Sequence, residues 1–287
     1  MTSPSRDEVA FPAEGVLGAY LALAGASAIL IRPPSWATLA GGMLVAAAMF
    51  FFVRRLPRPS SPRATGLRAV APLACFPVLY PLTGMISRGL PVWLLDGPLK
   101  RWEEAAFGGQ PAMFLAEAAP WKALSEVLHA CYFSFYFLVI GLPVVLAFEG
   151  RAQRAARVMR NLCTCFGVCL LCYIWIPATS PLYASPPLPE ALRDGFFYRL
   201  THAVADRGGV RGGAFPSSHA ALAVCNLVMA FRDERRVFWL TLAPTMGLLV
   251  ATVYGRYHFA LDTVAGTLVG LAFAGWGLCR HEDRGNP

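Results

Sequence analysis

Long apolar runs constrain the fold of this chain more than any other feature of its sequence. The 287 residues are 56% hydrophobic and 15% charged, which is too apolar a balance for an ordinary soluble domain. The apolar residues gather in runs whose length is typical of helices that cross a bilayer. The sequence therefore predicts eight membrane-spanning helices, over residues 15–31, 36–53, 69–87, 125–148, 162–178, 217–231, 237–254 and 259–279.

A stretch rich in proline and arginine separates the first two runs from the other six. This stretch, "RRLPRPSSPRATGLR" at 54–68, is predicted to be an irregular linker. The predicted fold class is all-α, as a polytopic membrane helix bundle. Residues 1–68 are predicted to supply a cytoplasmic N-terminus, two transmembrane helices and the basic linker, and residues 69–287 a six-span domain that carries the chemistry.

The arginines predict which helix ends face the cytoplasm. The net charge is +8, and 15 of the 25 basic residues lie in short segments that alternate with the predicted spans. Cytoplasmic loops carry such an excess, so both termini are predicted to be cytoplasmic. The charge does not indicate nucleic-acid binding, because no basic stripe with interleaved aromatic residues is present. The basic segments are 1–14, 54–68, 149–161, 232–236 and the tail from residue 280.

Four of the eight cysteines fall in one short stretch, "CTCFGVCLLC" at 163–172. Such crowding is typical of a metal site, but the stretch is otherwise apolar and lies within a predicted span. Buried thiols that pack as small apolar side chains are the better interpretation. No structural disulfide and no metal site are expected.

One segment on the side opposite the basic loops has a helical pattern of its own. Within 88–124, apolar residues recur at near-helical spacing from Leu94 to Phe107. This pattern predicts a short amphipathic helix that lies in the membrane interface, with Trp93, Trp102 and Trp121 at the depth of the headgroups.

The stretch "GGAFPSSHAAL" at 212–222 is predicted to begin a helix that faces an anion. Pro216 suits the start of a helix, and Ser217 or Ser218 can cap it. The unsatisfied N–H groups and the helix dipole at such a terminus favour an anion. His219 lies in the first turn, where it faces whatever that terminus binds. A capped helix with an incidental histidine is the alternative.

A second polar group lies at the start of the last run, in "YGRYHFALDTVAG" at 254–266. His258 and Asp262 are four residues apart, which places them on one face of a helix. The carboxylate is predicted to accept the imidazole N–H, to fix its tautomer and to raise the basicity of the other nitrogen. A buried carboxylate within a membrane helix is costly and usually functional. A structural His–Asp pair between helices is the alternative.

Together the two motifs resemble the second and third signature motifs of the type-2 phosphatidic acid phosphatase superfamily. Within it, "RYHFALDTVAG" and the upstream segment from Asp96 to Pro111 resemble the inositol phosphorylceramide synthase-like branch. The resemblance covers residues 69–279. It implies a six-helix phosphatase-type core, to which the first two transmembrane helices are an N-terminal addition.

The resemblance assigns a role to three residues. It implies that His258 attacks phosphorus to form phosphohistidine, that Asp262 orients His258, and that His219 protonates the leaving oxygen. Water or a polyol acceptor then resolves the intermediate. The residue types suit these roles, because a neutral imidazole nucleophile needs an orienting acceptor and an alkoxide needs a proton donor.

The oxygens of the phosphate also need cations or N–H donors around them. No metal-ligand cluster and no cofactor motif is evident in the sequence, so the predicted phosphate-binding residues are Arg256, Arg211, Ser217 and Ser218. The sequence departs here from the superfamily. Its usual first motif, a lysine and an arginine–proline pair, is missing after the fifth run, and Thr252 stands where an arginine usually precedes the last histidine.

These observations favour a multi-pass membrane enzyme that transfers a lipid headgroup through phosphohistidine on the non-cytoplasmic face. Simple dephosphorylation of a lipid phosphate, such as a phosphatidate or an isoprenyl phosphate, is the first alternative. A proton-coupled transporter that uses His219, His258 and Asp262 as a relay, and a non-catalytic scaffold, are the others.

Overall fold

The computed structural model describes residues 11–91 and 93–282, and these residues form helices joined by short loops. The first ten and last five residues, which the charge pattern assigns to the cytoplasm, lie outside the described residues. A 3-10 turn, Ala71–Cys75, lies between the helix that ends at Val70 and the helix that begins at Phe76. The helices are α1 (Pro12–Ile31), α2 (Trp36–Arg55), α3 (Pro62–Val70), α4 (Phe76–Ser87), α5 (Asp96–Phe107), α6 (Pro111–Ala118), α7 (Lys122–Phe133), α8 (Phe135–Phe148), α9 (Ala152–Trp175), α10 (Pro181–Ala184), α11 (Glu190–Arg193), α12 (Phe196–Gly208), α13 (Ser218–Asp233), α14 (Arg235–Tyr254) and α15 (Ala260–Glu282).

The all-α polytopic class is confirmed, but not all eight predicted spans qualify as membrane crossings. Among the described residues, five helical stretches are long and apolar enough, and α7 with α8, bent by 42° at their junction, gives a sixth. Helix α13 has only 16 residues, which is about 24 Å at 1.5 Å per residue and short of the hydrocarbon thickness. The linker prediction was also partly wrong. Ser61 caps a helix that begins at Pro62, inside the stretch expected to be irregular.

Helix α9 lies at the centre of the bundle, and α1 packs along it. The Trp175 indole donates to the Ser27 hydroxyl at 3.0 Å, and the hydroxyls of Tyr20 and Thr83 lie 2.6 Å apart. Cys163, Cys165 and Cys169 are buried in this core, as their apolar context predicted. The N-terminal helices thus share one apolar core with the helices that follow them.

Small residues bring α13 and α15 into backbone contact, and this contact positions the two histidine motifs. A Cβ atom at Gly266 would lie 2.2 Å from the Ser217 carbonyl oxygen, and one at Gly270 would lie 2.5 Å from that of Ala221. Only glycine fits there, in the Gly-x-x-x-Gly spacing that membrane helices use for close packing. The start of α15 is therefore held against the start of α13.

Two of the predicted basic segments, 149–161 and 232–236, meet at one end of the bundle. Arg157 forms a buried ion pair with Asp233 at 2.6 Å, and Arg151 pairs with Glu234 at 2.7 Å. These contacts join the start of α9 to the end of α13. At the other end of the same two helices, the Tyr173 hydroxyl contacts Ser218. The two histidine motifs therefore lie at the opposite end from these arginines.

The interfacial segment is helical, as its spacing predicted. Helix α5 buries Leu99 and Glu103, whereas Trp102 is 53% exposed and Phe107 is 47% exposed. Trp93 and Trp121 are also exposed. Exposed aromatic side chains of this kind suit the depth of the headgroups, because their rings have apolar bodies and polar edges.

Candidate functional site

The two motif histidines meet at one cavity. His219 lies in the first turn of α13, and His258 lies just before α15. Their ring centroids are 5.8 Å apart, and both rings line a cavity of about 430 Å³. The predicted convergence of the two motifs is therefore present in the structure, although the role of each histidine stays a prediction.

The nitrogen that His258 presents to the cavity follows from its hydrogen bond. Nδ1 lies 3.0 Å from the Ala214 carbonyl oxygen, whereas Asp262 Oδ2 lies 3.6 Å from it. Because a carbonyl oxygen only accepts, Nδ1 carries the proton and Nε2 keeps the lone pair. The sequence predicted Asp262 as the acceptor of this N–H, whereas in the structure the closer acceptor is the Ala214 carbonyl oxygen.

Asp262 lies near the imidazole and also forms hydrogen bonds with the surrounding backbone. Its side chain is fully buried, and Oδ2 accepts the Phe259 N–H at 2.9 Å, which caps the start of α15. The Asp262 carbonyl oxygen accepts the Ser217 N–H at 2.9 Å. The prediction placed His258 and Asp262 on one helix, but α15 begins at Ala260. The carboxylate therefore bonds to the helix terminus and lies further from the ring.

The start of α13 is capped as predicted. Two of the N–H groups that could bind an anion there already have hydrogen-bond partners within the protein. The Ser217 hydroxyl accepts the Ala220 N–H, and the Ser218 N–H donates to the Tyr173 hydroxyl at 3.0 Å. That hydroxyl in turn donates to the Pro216 carbonyl oxygen at 2.9 Å. Ser218 lines the cavity, whereas Ser217 is fully buried and is not among the lining residues. Their binding of phosphate stays a prediction.

Aromatic rings fix the orientation of His219. Its ring stacks on Tyr132, with centroids 4.8 Å apart, and lies 4.2 Å from the Phe135 ring. Its Nδ1 is buried, with no hydrogen-bond partner among the residues that the structure describes. Ring packing therefore orients this imidazole, which suits a group that exchanges a proton at the cavity.

Arg256 does not line the cavity with the histidines. Its guanidinium is buried and donates to the carbonyl oxygens of Ala112, Met113, Pro186 and Pro187, with Glu117 at 3.5 Å. The residue has a positive φ of 61°, in a turn two positions before His258. The phosphate-binding role predicted for Arg256 is thus not favoured by its geometry, because its N–H donors face other oxygens. This geometry indicates that the Arg256 side chain holds the loop that carries His258 in position.

We expect Arg256→Lys to lower kcat by about 10- to 100-fold, because the loop loses a planar set of donors and an error of about 1 Å in position costs that much. Inhibition by inorganic phosphate should stay within about threefold of the native value, since a clamp does not contact the anion. Steady-state kinetics with the exposed Arg199→Lys as control measures both. A large loss of phosphate inhibition together with kcat would instead identify a phosphate ligand.

Among the lining residues that the structure describes, none is lysine or arginine. The guanidinium of Arg211 lies 5.7 Å from the centroid of the Tyr183 ring, and that ring lines the cavity. Arg207 instead bonds a carbonyl oxygen of its own helix, and Arg199 pairs with Asp194. Arg211 is therefore a predicted phosphate-binding cation whose guanidinium lies over a ring of the cavity wall, and its role stays a prediction.

Three carboxylates near the site cap distant backbone, a role that sequence reasoning missed. Glu103 of α5 accepts the Leu261 N–H at 3.2 Å, and Asp96 accepts the Thr179 N–H at 2.7 Å. Burial raises the pKa of both carboxyls above the ordinary value. Glu126 accepts the N–H groups of two residues at the start of α12. Through these hydrogen bonds, the three carboxylates position the loops around the cavity.

His129 and His202 lie beyond Tyr257, outside the residues that line the cavity. His129 Nδ1 donates to the Ser125 carbonyl oxygen at 2.7 Å, and the two imidazole centroids are 6.1 Å apart. The Tyr257 ring lies between this pair and Tyr132, which stacks on His219. This placement gives both imidazoles packing contacts behind the cavity wall.

We expect Asp262→Asn to lower turnover by about 10- to 100-fold, and less than removal of His258 does. The asparagine still accepts the Phe259 N–H, and Ala214 still holds Nδ1, so the tautomer survives while the negative charge is lost. Single-turnover kinetics measures the effect, with the exposed Asp194→Asn as control. A loss as complete as that of the His258 variant would show that Ala214 contributes nothing to orientation.

Comparison with known proteins agrees with the residue-level resemblance. A family model for the PAP2 superfamily, the type-2 phosphatidic acid phosphatase superfamily, matches residues 99–276. The match begins in α5, ends in α15 and contains both histidine motifs, while α1–α4 lie before it. No curated protein and no solved structure matches the chain. Since the matched segment is well over half of the sequence, the chain belongs to the PAP2 superfamily.

Proposed function

We propose that the protein is an integral membrane enzyme that cleaves or transfers a lipid phosphoester through phosphohistidine at His258. Superfamily membership indicates a phosphatase or phosphotransferase, and the apolar helices indicate a multi-pass membrane protein. The single observation that carries the proposal is the 5.8 Å separation of the His219 and His258 rings on one cavity. One phosphorus atom between them is within reach of both.

The first half-reaction follows from the lone pair that Nε2 of His258 keeps while Nδ1 bonds to Ala214. Nε2 of His258 attacks phosphorus, the P–N bond forms, and the P–O bond to the leaving alcohol breaks. Protonated His219 gives its proton to the leaving oxygen. The Nδ1 proton of His258 stays on its bond to Ala214, and Asp262 stabilises the charge that develops on the ring. No bound metal is needed for the proton and bond changes to balance.

The second half-reaction reverses these roles. The oxygen of an acceptor hydroxyl attacks phosphorus, the P–N bond breaks, and His219 takes the hydroxyl proton. Water as acceptor gives hydrolysis, and an alcohol gives transfer. We propose transfer of a headgroup, as in the inositol phosphorylceramide synthase-like branch, because the segment from Asp96 to Pro111 resembles that branch and the usual first phosphatase motif is missing. Dephosphorylation of a lipid phosphate is the second candidate.

We propose that the active site opens on the non-cytoplasmic face. The arginine bias predicts cytoplasmic ends for the segments that contain Arg151, Arg157 and Arg232. Two of these arginines pair with Asp233 and Glu234 at the end of α13, whereas His219 lies at its start. The substrate headgroup then approaches from the periplasm, the exterior or a lumen.

Purified full-length protein in detergent tests the proposal, with a lipid phosphate as substrate and a polyol as acceptor. Release of inorganic phosphate from the lipid phosphate supports hydrolysis. Polyol-dependent formation of a polyol phosphate from it, or of a new phospholipid from a phosphodiester lipid whose headgroup leaves, supports transfer. Turnover in detergent also excludes a pure transport role, because no membrane gradient exists there. The absence of both products across phosphatidate, isoprenyl phosphate and phospholipid substrates would contradict the proposal.

A further inference from the structure

The cavity that holds the two histidines has a long apolar wall. Ser218, His219 and His258 line the cavity beside residues of α10 and α12, while the wall that leads away from them along the bundle comes from α4, α8, α9 and α13. The lining residues of that wall are aromatic or aliphatic, among them Phe76, Val139, Phe166 and Leu222. An apolar wall that leads away from the imidazoles fits a ligand with a polar head and a hydrocarbon tail.

The direction of this groove follows from the helices that form it. Phe135 contacts the His219 ring, and Val139 follows one turn later on α8, about 6 Å further along. Phe166 lies seven residues before Tyr173 on α9, which is about 10 Å from the level at which Tyr173 bonds Ser218. The rings of Phe76 and Phe166 stack with centroids 4.3 Å apart at this level. The groove therefore runs from the histidines toward the stacked pair.

The volume of the cavity sets how much hydrocarbon it holds. An apolar cavity of about 150 Å³ holds benzene, which is about 25 Å³ per carbon atom. At that density, a cavity of about 430 Å³ holds about 17 non-hydrogen atoms, including the phosphate head. Room remains for about a dozen carbons. The chains of a two-tailed phospholipid, about 30 carbons in all, need more than twice that space.

We propose that this groove binds one hydrocarbon chain of the lipid substrate, to a depth of about a dozen carbons, and that any second chain stays in the bilayer. The bilayer is within reach, since Tyr136 is 45% exposed and Ile140 is 44% exposed at the outer side of the same wall. The proposal rests on the proposed function in one respect, which is that the phosphorus lies between His219 and His258.

Alkylphosphonates test the groove without turnover, because the carbon–phosphorus bond replaces the ester that the enzyme cleaves. The probes are butylphosphonate and tetradecylphosphonate, and the readout is thermal stabilisation of the full-length protein in detergent as a function of ligand concentration. Each methylene that enters an apolar site tightens binding by about fourfold. Comparing each variant with the native protein at equal detergent cancels the partition of the ligand into micelles.

Val139→Phe narrows the groove from α8, and Leu222→Phe narrows it from α13. Each is expected to weaken binding of tetradecylphosphonate by at least about tenfold, while butylphosphonate, which ends before Val139, changes by less than about threefold. Val250→Phe makes the same substitution on an exposed face of α14 outside the cavity and is expected to change neither. Two variants on opposite walls keep the test valid when one of them fails to fold.

Equal weakening of both phosphonates by folded variants, or no weakening of the long one, would overturn the proposal. A dialkyl probe with two tetradecyl chains provides a second test. If it bound the native protein at least about tenfold more tightly than the single-chain probe at equal micellar concentration, the proposal would also be overturned, because a site for two chains predicts that gain. Failure of the proposed function is a different result. Native protein that turns over no lipid phosphate but still shows the chain-length pattern retains the groove and loses the chemistry.

Discussion

Replacing His258 by glutamine is expected to lower turnover of a lipid phosphate by about 10⁴-fold or more, because the nitrogen that attacks phosphorus is removed and His219 supplies only the proton. Glutamine keeps an amide near Ala214 and Asp262, so the loop that holds this side chain retains a hydrogen-bonding group. Single-turnover measurement of phosphate release or transfer gives the rate of the first half-reaction directly.

The matched control for this variant is His202→Gln. His202 is an imidazole on α12 that does not line the cavity. Its replacement is expected to leave turnover within about threefold of the native protein. A His258→Gln protein that folds and still turns over lipid phosphate at a comparable rate would remove His258 from the reaction, and the proposed mechanism with it.

Replacing His219 by glutamine is expected to have the second largest effect, about 10² to 10⁴-fold on the first half-reaction with an alkyl phosphate. The reason is that an alkoxide leaving group needs a proton, and the ring of His219 lies 5.8 Å from that of His258 across the cavity. The rate at which substrate disappears in a single turnover measures this effect.

A leaving group that needs no proton distinguishes this role from a structural one. With a nitrophenyl phosphate ester, whose leaving group departs as the anion, the His219→Gln deficit is expected to shrink to about tenfold or less. The His258→Gln deficit should stay full, since the nucleophile is still missing. An equal deficit of His219→Gln with both substrates would mean that the ring only supports packing against Tyr132 and Phe135.

The sequence predicts this structure best where local pattern decides it. Hydropathy locates the helices because bilayer spans need long apolar runs. The caps and histidines of α13 follow from "FPSSHAA", because capping is a local preference. The meeting of α13 with α15 also has a local sequence cause, since Gly266 and Gly270 remove the side chains that would separate them.

Prediction fails where partners are distant in sequence. Arg256 has the charge and neighbourhood of a phosphate ligand, but its acceptors come from residues 112–113 and 186–187, which no local pattern connects to it. Glu103 caps α15 from another helix for the same reason. The spacing of His258 and Asp262 indicates contact, yet the helix begins two residues later than that interpretation assumed, and Ala214 takes the closer bond.

Neither the sequence motifs nor the geometry of the described residues assigns a full set of cations that bind the phosphate. The sequence lacks the usual first motif, and Thr252, which replaces the usual arginine, bonds Thr263 at 2.8 Å. Its carbonyl oxygen accepts the His258 N–H at 2.8 Å, so this position supports the nucleophile through its backbone. The oxygens of the phosphate are therefore expected to depend on Arg211, Ser218 and the start of α13.

Trapping the covalent intermediate tests the central claim most directly. Full-length protein is mixed with a lipid ester carrying radioactive phosphate, quenched in alkali at a series of times within the first turnover, digested and sequenced. The account predicts one phosphohistidine, stable to alkali and labile to acid, on the peptide that contains His258, and none in His258→Gln. Label on another residue, or steady turnover with no covalent phosphate at any quench time, would contradict it.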